Sequence, residues 1–361
     1  MSGRKQHFIP QSLLRGFSRK GKGSKQQVVA YTYDRGIFTA ATDGVGAERN
    51  FYSELDVEGK TQTLDDKITD FETPLADVLV GLRALPHRAS AETLQAATFV
   101  THLTVRNDHF RKSVSTGGAA LFHRFQSSMS DEQTAKALMG LGGNSPSDFF
   151  RNAMKKPIAD YAAMFAAMGL SEDQIIEWAF AYAKANFSEF HRALVVPMQA
   201  SFDSFSEPKI LEIAADAQRR ALETGLSPQA WIDRLSEMDW HVLHSDVSLI
   251  LPDCVSIAVG NSGTPSPLML AERDEVEAIL LPIASDRLLV GSREDRAIPL
   301  FDLNAAFAAC SWDFFVGFDR TNEFEALRDS IRTGVQKQMD DLVSEALNES
   351  VHKQTTKNSG V

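Results

Sequence analysis

Cysteine is scarce in this chain: Cys254 and Cys310 are the only two in 361 residues. They cannot build a disulfide framework, and so few thiols suit a cytoplasmic address. Apolar runs long enough to cross a bilayer are missing as well, so no membrane partner is expected. The basic start lacks the apolar stretch of a signal peptide, which argues against export. There is no Gly-x-Ser-x-Gly elbow, no dinucleotide fingerprint and no Cys-x-x-Cys pair, so no motif names a cofactor or a metal. Acidic residues are absent before Asp34.

That last absence is informative. Residues 1–33 hold Arg4, Lys5, Arg15, Arg19, Lys20, Lys22 and Lys25, a local charge of +7. The whole chain carries −11, which leaves −18 on the remainder. An acidic surface of that kind does not favour wrapping nucleic acid. A local basic patch can still hold a phosphate. The Gly- and Lys-rich stretch from Ser18 to Gln27 also reads as a solvated loop.

The 43% hydrophobic content is enough for a substantial core. The pattern predicts an α+β fold with a small N-terminal β element, a large α-helical middle and a β-rich C-terminal part closed by a long terminal helix. The N-terminal element covers 1–60, with Val28 to Tyr33 and Ile37 to Thr39 as strands around an Asp34-Arg35-Gly36 turn. The helical region covers 61–238. Its first stripe is Leu64, Ile68, Phe71, Leu75, Leu79 and Leu82, which Pro74 should kink or split. Ser90 is the expected cap of the next helix, which runs to Phe110. Ser130 with Gln133, and Ser171 with Gln174, have capping-box spacing. The β-rich region covers 239–320, with strands expected at Trp240 to Leu251, Val255 to Val259, Val276 to Pro282, Leu288 to Val290 and Trp312 to Phe318. The terminal helix covers 321–350, and 351–361 reads as a disordered tail.

Chemistry concentrates at the start. Lys5-Gln6-His7-Phe8-Ile9-Pro10-Gln11-Ser12-Leu13-Leu14-Arg15-Gly16-Phe17 sets polar groups among apolar anchors, where a chain usually frays. Phe8, Ile9, Leu13 and Phe17 should therefore pack against helices of the middle region. Gly16 to Gly23 is one residue short of a phosphate-binding loop and ends on Gly23 instead of a magnesium-binding hydroxyl. His7-Phe8-Ile9-Pro10 resembles the opening of a His-Asn-His nuclease motif, but further metal ligands should lie close by, and the next histidine is His87. His102 with His109, and His241 with His244, lack the spacing of a zinc pair. Arg106, His109 and Arg111 cluster at a helix end. They either complement the helix dipole or form an anion pocket.

Lys5, His7, Phe8, Ile9, Pro10, Leu14, Arg15 and Phe17 match the opening motif of DUF4238, a bacterial family of unknown function. Ala47-Glu48-Arg49-Asn50-Phe51-Tyr52, the Arg106/Phe110/Arg111 pattern, the Trp240 strand and Leu281 to Ala284 are similar to later parts of that family. Where the family shows Ser-Asp-Asn-Pro, this chain has Leu251-Pro252-Asp253-Cys254 and keeps only Asp253.

The resulting expectation is a composite pocket. His7 and Glu48 are its candidate catalytic bases. Gln11, Arg15, Tyr52, Arg106 and Asp253 are its candidate ligand-binding residues, with Glu48 as the expected ion-pair partner of Arg15. An enzyme acting on a nucleotide or nucleic acid, in a toxin or phage-defence role, is one reading. The other is a non-catalytic binding or regulatory module in which these side chains form a closed network. The two differ in whether the side chains surround a cavity or satisfy one another.

Overall fold

The computed structural model describes residues 5–21, 25–52, 64–193, 207–271, 276–293 and 302–356. By internal contacts the chain forms two units. The first comprises Met1–Val114 and Leu211–Met339, the second Ser115–Ile210 and Asp340–Val361. Every described strand and every candidate site residue belongs to the first, and the architecture is α+β.

The strands, in chain order, are β1 (Lys5–His7), β2 (Arg19–Lys20), β3 (Gln26–Thr32), β4 (Gly36–Ala41), β5 (Ala47–Arg49), β6 (Ala89–Ser90), β7 (Asp239–His244), β8 (Leu251–Pro252), β9 (Ile257–Gly260), β10 (Pro265–Pro267), β11 (Val276–Ala284), β12 (Arg287–Ser292) and β13 (Phe314–Gly317). The helices that position the site are α1 (Gln11–Leu14), α2 (Leu64–Ala84), α3 (Thr93–Val105) and α4 (Asp108–Ser130). A six-stranded sheet runs β10-β9-β11-β12-β7-β6, every neighbour antiparallel. A second sheet runs β2-β3-β13-β8, with β4 on the other side of β3. β1 and β5 form a separate two-stranded ribbon.

β11 has both faces buried, which is why Ala278 to Ile283 reads as one apolar run instead of an alternation. Pro282 lies beyond the stretch of β11 that pairs with β9, and the β12 register shifts between it and Ala284. Its missing N–H therefore falls where the ladder is already broken. At Gly291 a Cβ would come within 2.7 Å of the Trp240 ring, so only glycine lets the buried indole lie flat on β12.

The N-terminal motif is part of this core. Ile9, Leu13, Leu14 and Phe17 are fully buried, and Phe8 nearly so. Arg83 of α2 donates to the carbonyls of Leu13 and Ile283, at 3.0 and 2.7 Å, and Ser285 N–H donates to Gly16. The second unit has its own smaller core of Met129, Ala135, Leu141, Phe180 and Phe187. Ser171 and Gln174 close their capping box there.

Several local expectations are corrected. α2 runs unbroken through Pro74, which sits on its exposed side, where water can satisfy the carbonyl one turn back. Glu92, not Ser90, caps α3, because Ser90 is paired in β6. Asp131, not Ser130, caps the helix after α4, because Ser130 is still the last residue of α4. The strand from Trp240 stops at His244, where its partner β12 begins. A helix, Leu303–Cys310, interrupts the β-rich part, started by the Asp302 carboxylate on the Ala305 N–H. The terminal helix Thr333–Thr356 continues past 350, and residues 357–361 of the expected tail lie outside the described residues.

Candidate functional site

The β1–β5 register decides how the first candidates relate. Gln6 is opposite Glu48, and His7 is opposite Ala47. Opposed residues share a face and successive ones alternate, so His7 and Glu48 lie on opposite faces of the ribbon. The ribbon does not set them on one substrate as paired bases. Arg15 is exposed and makes no ion pair with Glu48, contrary to expectation, because it projects from the turn after α1 into a groove that β5 does not line.

The remaining candidates separate into a buried network and that open groove. In the network, Gln6 Oε1 accepts the Tyr52 N–H at 2.6 Å. The Tyr52 hydroxyl donates to the Arg106 carbonyl at 2.8 Å and accepts from Arg106 Nε at 3.3 Å. Arg106 is 2% exposed, and its charge is met by Glu72 of α2. His102 Nε2 lies 3.0 Å from the same carboxylate, and its Nδ1 lies 3.0 Å from the Leu226 carbonyl. A carbonyl only accepts, so Nδ1 carries the hydrogen of the neutral ring.

The break between α3 and α4 is held just as closely. Gln218 donates to the carbonyls of Val105 and Asn107 at 2.7 and 2.9 Å and accepts from Arg111 Nε. Those carbonyls would otherwise be orphans of a helix end. Asn107 takes the His109 N–H on its amide oxygen and donates to the Asp253 carbonyl. Arg111 stacks over Phe51, 3.6 Å from the ring centre, and donates to its carbonyl. The Asp253 carboxylate accepts the N–H groups of Trp312, Asp313 and Phe314 and so orders the entry to β13. Val255, two residues on, has φ 59°, a left-handed conformation costly for a β-branched residue. The N–H of Val255 bonded to the Pro252 carbonyl helps to hold that turn.

The groove, of about 370 Å³, is lined by Gln11, Arg15, Lys25, Gln26, Ala41, Thr42 and Asp43. Gln11 and Arg15 come from α1 and the turn that follows it, Lys25 and Gln26 from the entry to β3, Ala41 from the end of β4, and Thr42 and Asp43 from the turn after it. The Ser18 hydroxyl lies 2.8 Å from both the Arg15 carbonyl and the Gln26 side-chain amide, which ties the turn after α1 to the start of β3. His7 stands behind Gln11, with 3.1 Å between His7 Nε2 and Gln11 Nε2. Burial, then the charges of Arg106 and Lys5, lower the His7 pKa to about 4. The imidazole is neutral at pH 7.

Two other histidines titrate alike. Burial lowers His102 and His109 to about 4, although each donates to a backbone carbonyl. Burial and the nearby Asp313 raise Asp253 to about 7, against its three N–H donors. The signs oppose. Between about pH 6.5 and 4 the unfolded chain binds the protons that three native histidines refuse, so stability falls on acidification. Over a similar range Asp253 binds a proton the unfolded chain has lost, which favours the acid side by one group against three. The net expectation is a denaturant midpoint that drops from pH 6.5 to 4.5. A His109→Gln variant should flatten that slope, and an unchanged slope would refute the assignment.

Glu72, Gln6 and Gln218 escaped the sequence reading. Glu72 had a signal. It lies four residues after Ile68 and three before Leu75, on the apolar stripe of α2, where a carboxylate needs a cation. Among the described residues, no group of three His, Cys, Asp or Glu side chains is placed to hold a metal ion.

The family model described as "Protein of unknown function (DUF4238)" matches residues 5–357. The chain belongs to that family. No curated protein and no solved structure matches it. In this DUF4238 member the N-terminal motif is shared between core and groove: Phe8, Ile9, Leu14 and Phe17 build the core, while Arg15 faces the groove and His7 stands behind it.

Proposed function

We propose that this DUF4238 protein is a binding module for a phosphate-bearing ligand, held in the groove between α1 and the β3–β4 hairpin. The observation that carries this reading is the convergence of Arg15 and Lys25 on one open groove, with Arg15 in no ion pair with any described residue. With Asp43 beside them, the lining keeps one net positive charge. A guanidinium fork, an ammonium and the Gln26 amide suit the several oxygens of a phosphate. The buried network supports a non-catalytic role for Tyr52, Arg106 and Asp253, since their polar groups are taken up by neighbours. Calorimetric titration with inorganic pyrophosphate and with AMP tests the proposal. Arg15→Ala should weaken binding by about tenfold or more, as loss of a charge-assisted hydrogen bond implies. Absence of binding by either probe at millimolar concentration would overturn it.

A catalytic reading rests on one observation, the neutral His7 imidazole behind Gln11. A neutral imidazole can take a proton from a bound water or hydroxyl. In that case His7→Ala abolishes turnover of the bound ligand and leaves the melting temperature nearly unchanged. Under the binding reading, the same change costs stability before it costs affinity.

A further inference from the structure

We infer that the outer edge of β4 is a self-pairing surface, on which a second copy of this chain adds its own β4 antiparallel. The inference starts from backbone direction. The Tyr33 N–H donates to the Asp313 carbonyl at 2.8 Å, next to β13. Odd-numbered residues of β3 therefore turn their N–H and C=O groups toward β13, and even-numbered ones toward β4. The β3–β4 register pairs Val28 with Ala40, Ala30 with Phe38 and Thr32 with Gly36. Those pairs exchange the ladder bonds. Ile37, Thr39 and Ala41 are left with their N–H and C=O groups at the outer edge, and no described backbone group takes them up. All six residues of β4 are half-buried or exposed, and Phe38 is 37% exposed.

Other described edges are protected. β1 and β5 are three residues each and carry Lys5, Glu48 and Arg49, β2 is two charged residues, β6 is two residues long, β8 carries Pro252, and β10 carries Pro265 and Pro267. Short length, charge and proline are the usual defences of an exposed edge. β4 has none of them. Gly36-Ile37-Phe38-Thr39-Ala40-Ala41 has no charge and no proline, and its register with β3 is unbroken over six pairs.

The sequence selects a second copy as the occupant. A two-fold axis through Thr39 pairs Thr39 with its own copy and Ile37 with Ala41 of the other chain. That register uses all three outward-facing residues on each strand and forms six backbone hydrogen bonds, by geometry alone. Phe38 then faces Ala40 of the other chain, large against small. The Arg35 end of each strand meets the Asp43 end of the other, so the flanking charges are complementary. A threonine pair at the centre adds a favourable cross-strand contact.

Sedimentation equilibrium of the full-length protein at tens-of-micromolar concentration tests this. The expected mass is that of two chains. Thr39→Lys places like charges opposite each other at the axis and should raise the dimer dissociation constant by about tenfold or more. Thr39→Glu alone should do the same. An equimolar mixture of the two variants should dimerise again, because lysine then faces glutamate. Circular dichroism of each variant checks that the chain still folds. A wild-type protein that stays at single-chain mass overturns the inference. So does a dimer that survives both substitutions, or a mixture that stays monomeric while both variants remain folded.

Discussion

A protein lacking residues 1–17 is expected not to fold cooperatively. Phe8, Ile9, Leu13, Leu14 and Phe17 are between 0% and 8% exposed, so all five belong to the core. Burying one such side chain contributes about 1.5–3 kcal/mol, which puts the five together at roughly 7–15 kcal/mol before the compactness of the unfolded chain is discounted. That is the size of the whole net stability of a typical domain, roughly 5–15 kcal/mol. Losing the β1 pairing to β5 and the Gly16 carbonyl that receives Ser285 would add to the damage. The check is a denaturant titration of the truncated chain. A sigmoidal transition with a midpoint near that of the intact protein would show that the segment is dispensable.

Glu72→Ala is expected to lower the melting temperature by about 10 °C. The change leaves Arg106, 2% exposed, without its counter-charge. Breaking one partner of a buried ion pair costs about 3–5 kcal/mol, and each kcal/mol is worth roughly 2–4 °C in a protein of this size. The double variant Glu72→Leu with Arg106→Met should recover much of that loss, since removing both charges strands neither. Equal melting temperatures for Glu72→Ala and wild type would mean that water reaches Arg106 and satisfies it. A Glu72→Ala protein that keeps its groove should still bind pyrophosphate as tightly as wild type, which separates the network's role from that of Arg15.

Local patterns in the sequence carried the parts of the fold that local forces decide. The β3–β4 hairpin was visible from its β-branched and aromatic strands around Asp34-Arg35-Gly36. α2 was visible from its apolar stripe, and the burial of the opening motif from its four large apolar residues. What escaped depends on partners far along the chain. β1 is three residues with no strand pattern, and only β5, some forty residues later, makes it a strand. Leu303–Cys310 is a short helix whose cap and packing, not its periodicity, define it. The relation of His7 to Glu48 depends on distant pairing in the same way. His7 and Glu48 are close in register, but the pleat turns them apart, and a one-residue offset cannot be read without the pairing. Arg106 stands out in the sequence, but its ion-pair partner Glu72 is 34 residues earlier and becomes visible only in the packed structure.

The pairing of β3 with β13 also sets a timetable for the newborn chain. Thr32 waits for Phe314, so the apolar strand Val28 to Tyr31 leaves the ribosome long before its neighbour exists. At roughly 5–20 residues per second, a gap of about 280 residues means a delay of some 15–60 s. β4 and β2 can pair with β3 at once, but the stretch Val29 to Thr32 stays open on the β13 side throughout that interval. Ribosome-associated chaperones that shield apolar strands should therefore matter most for this protein during synthesis, and dispensing with them should cost yield more than it costs the stability of the finished molecule.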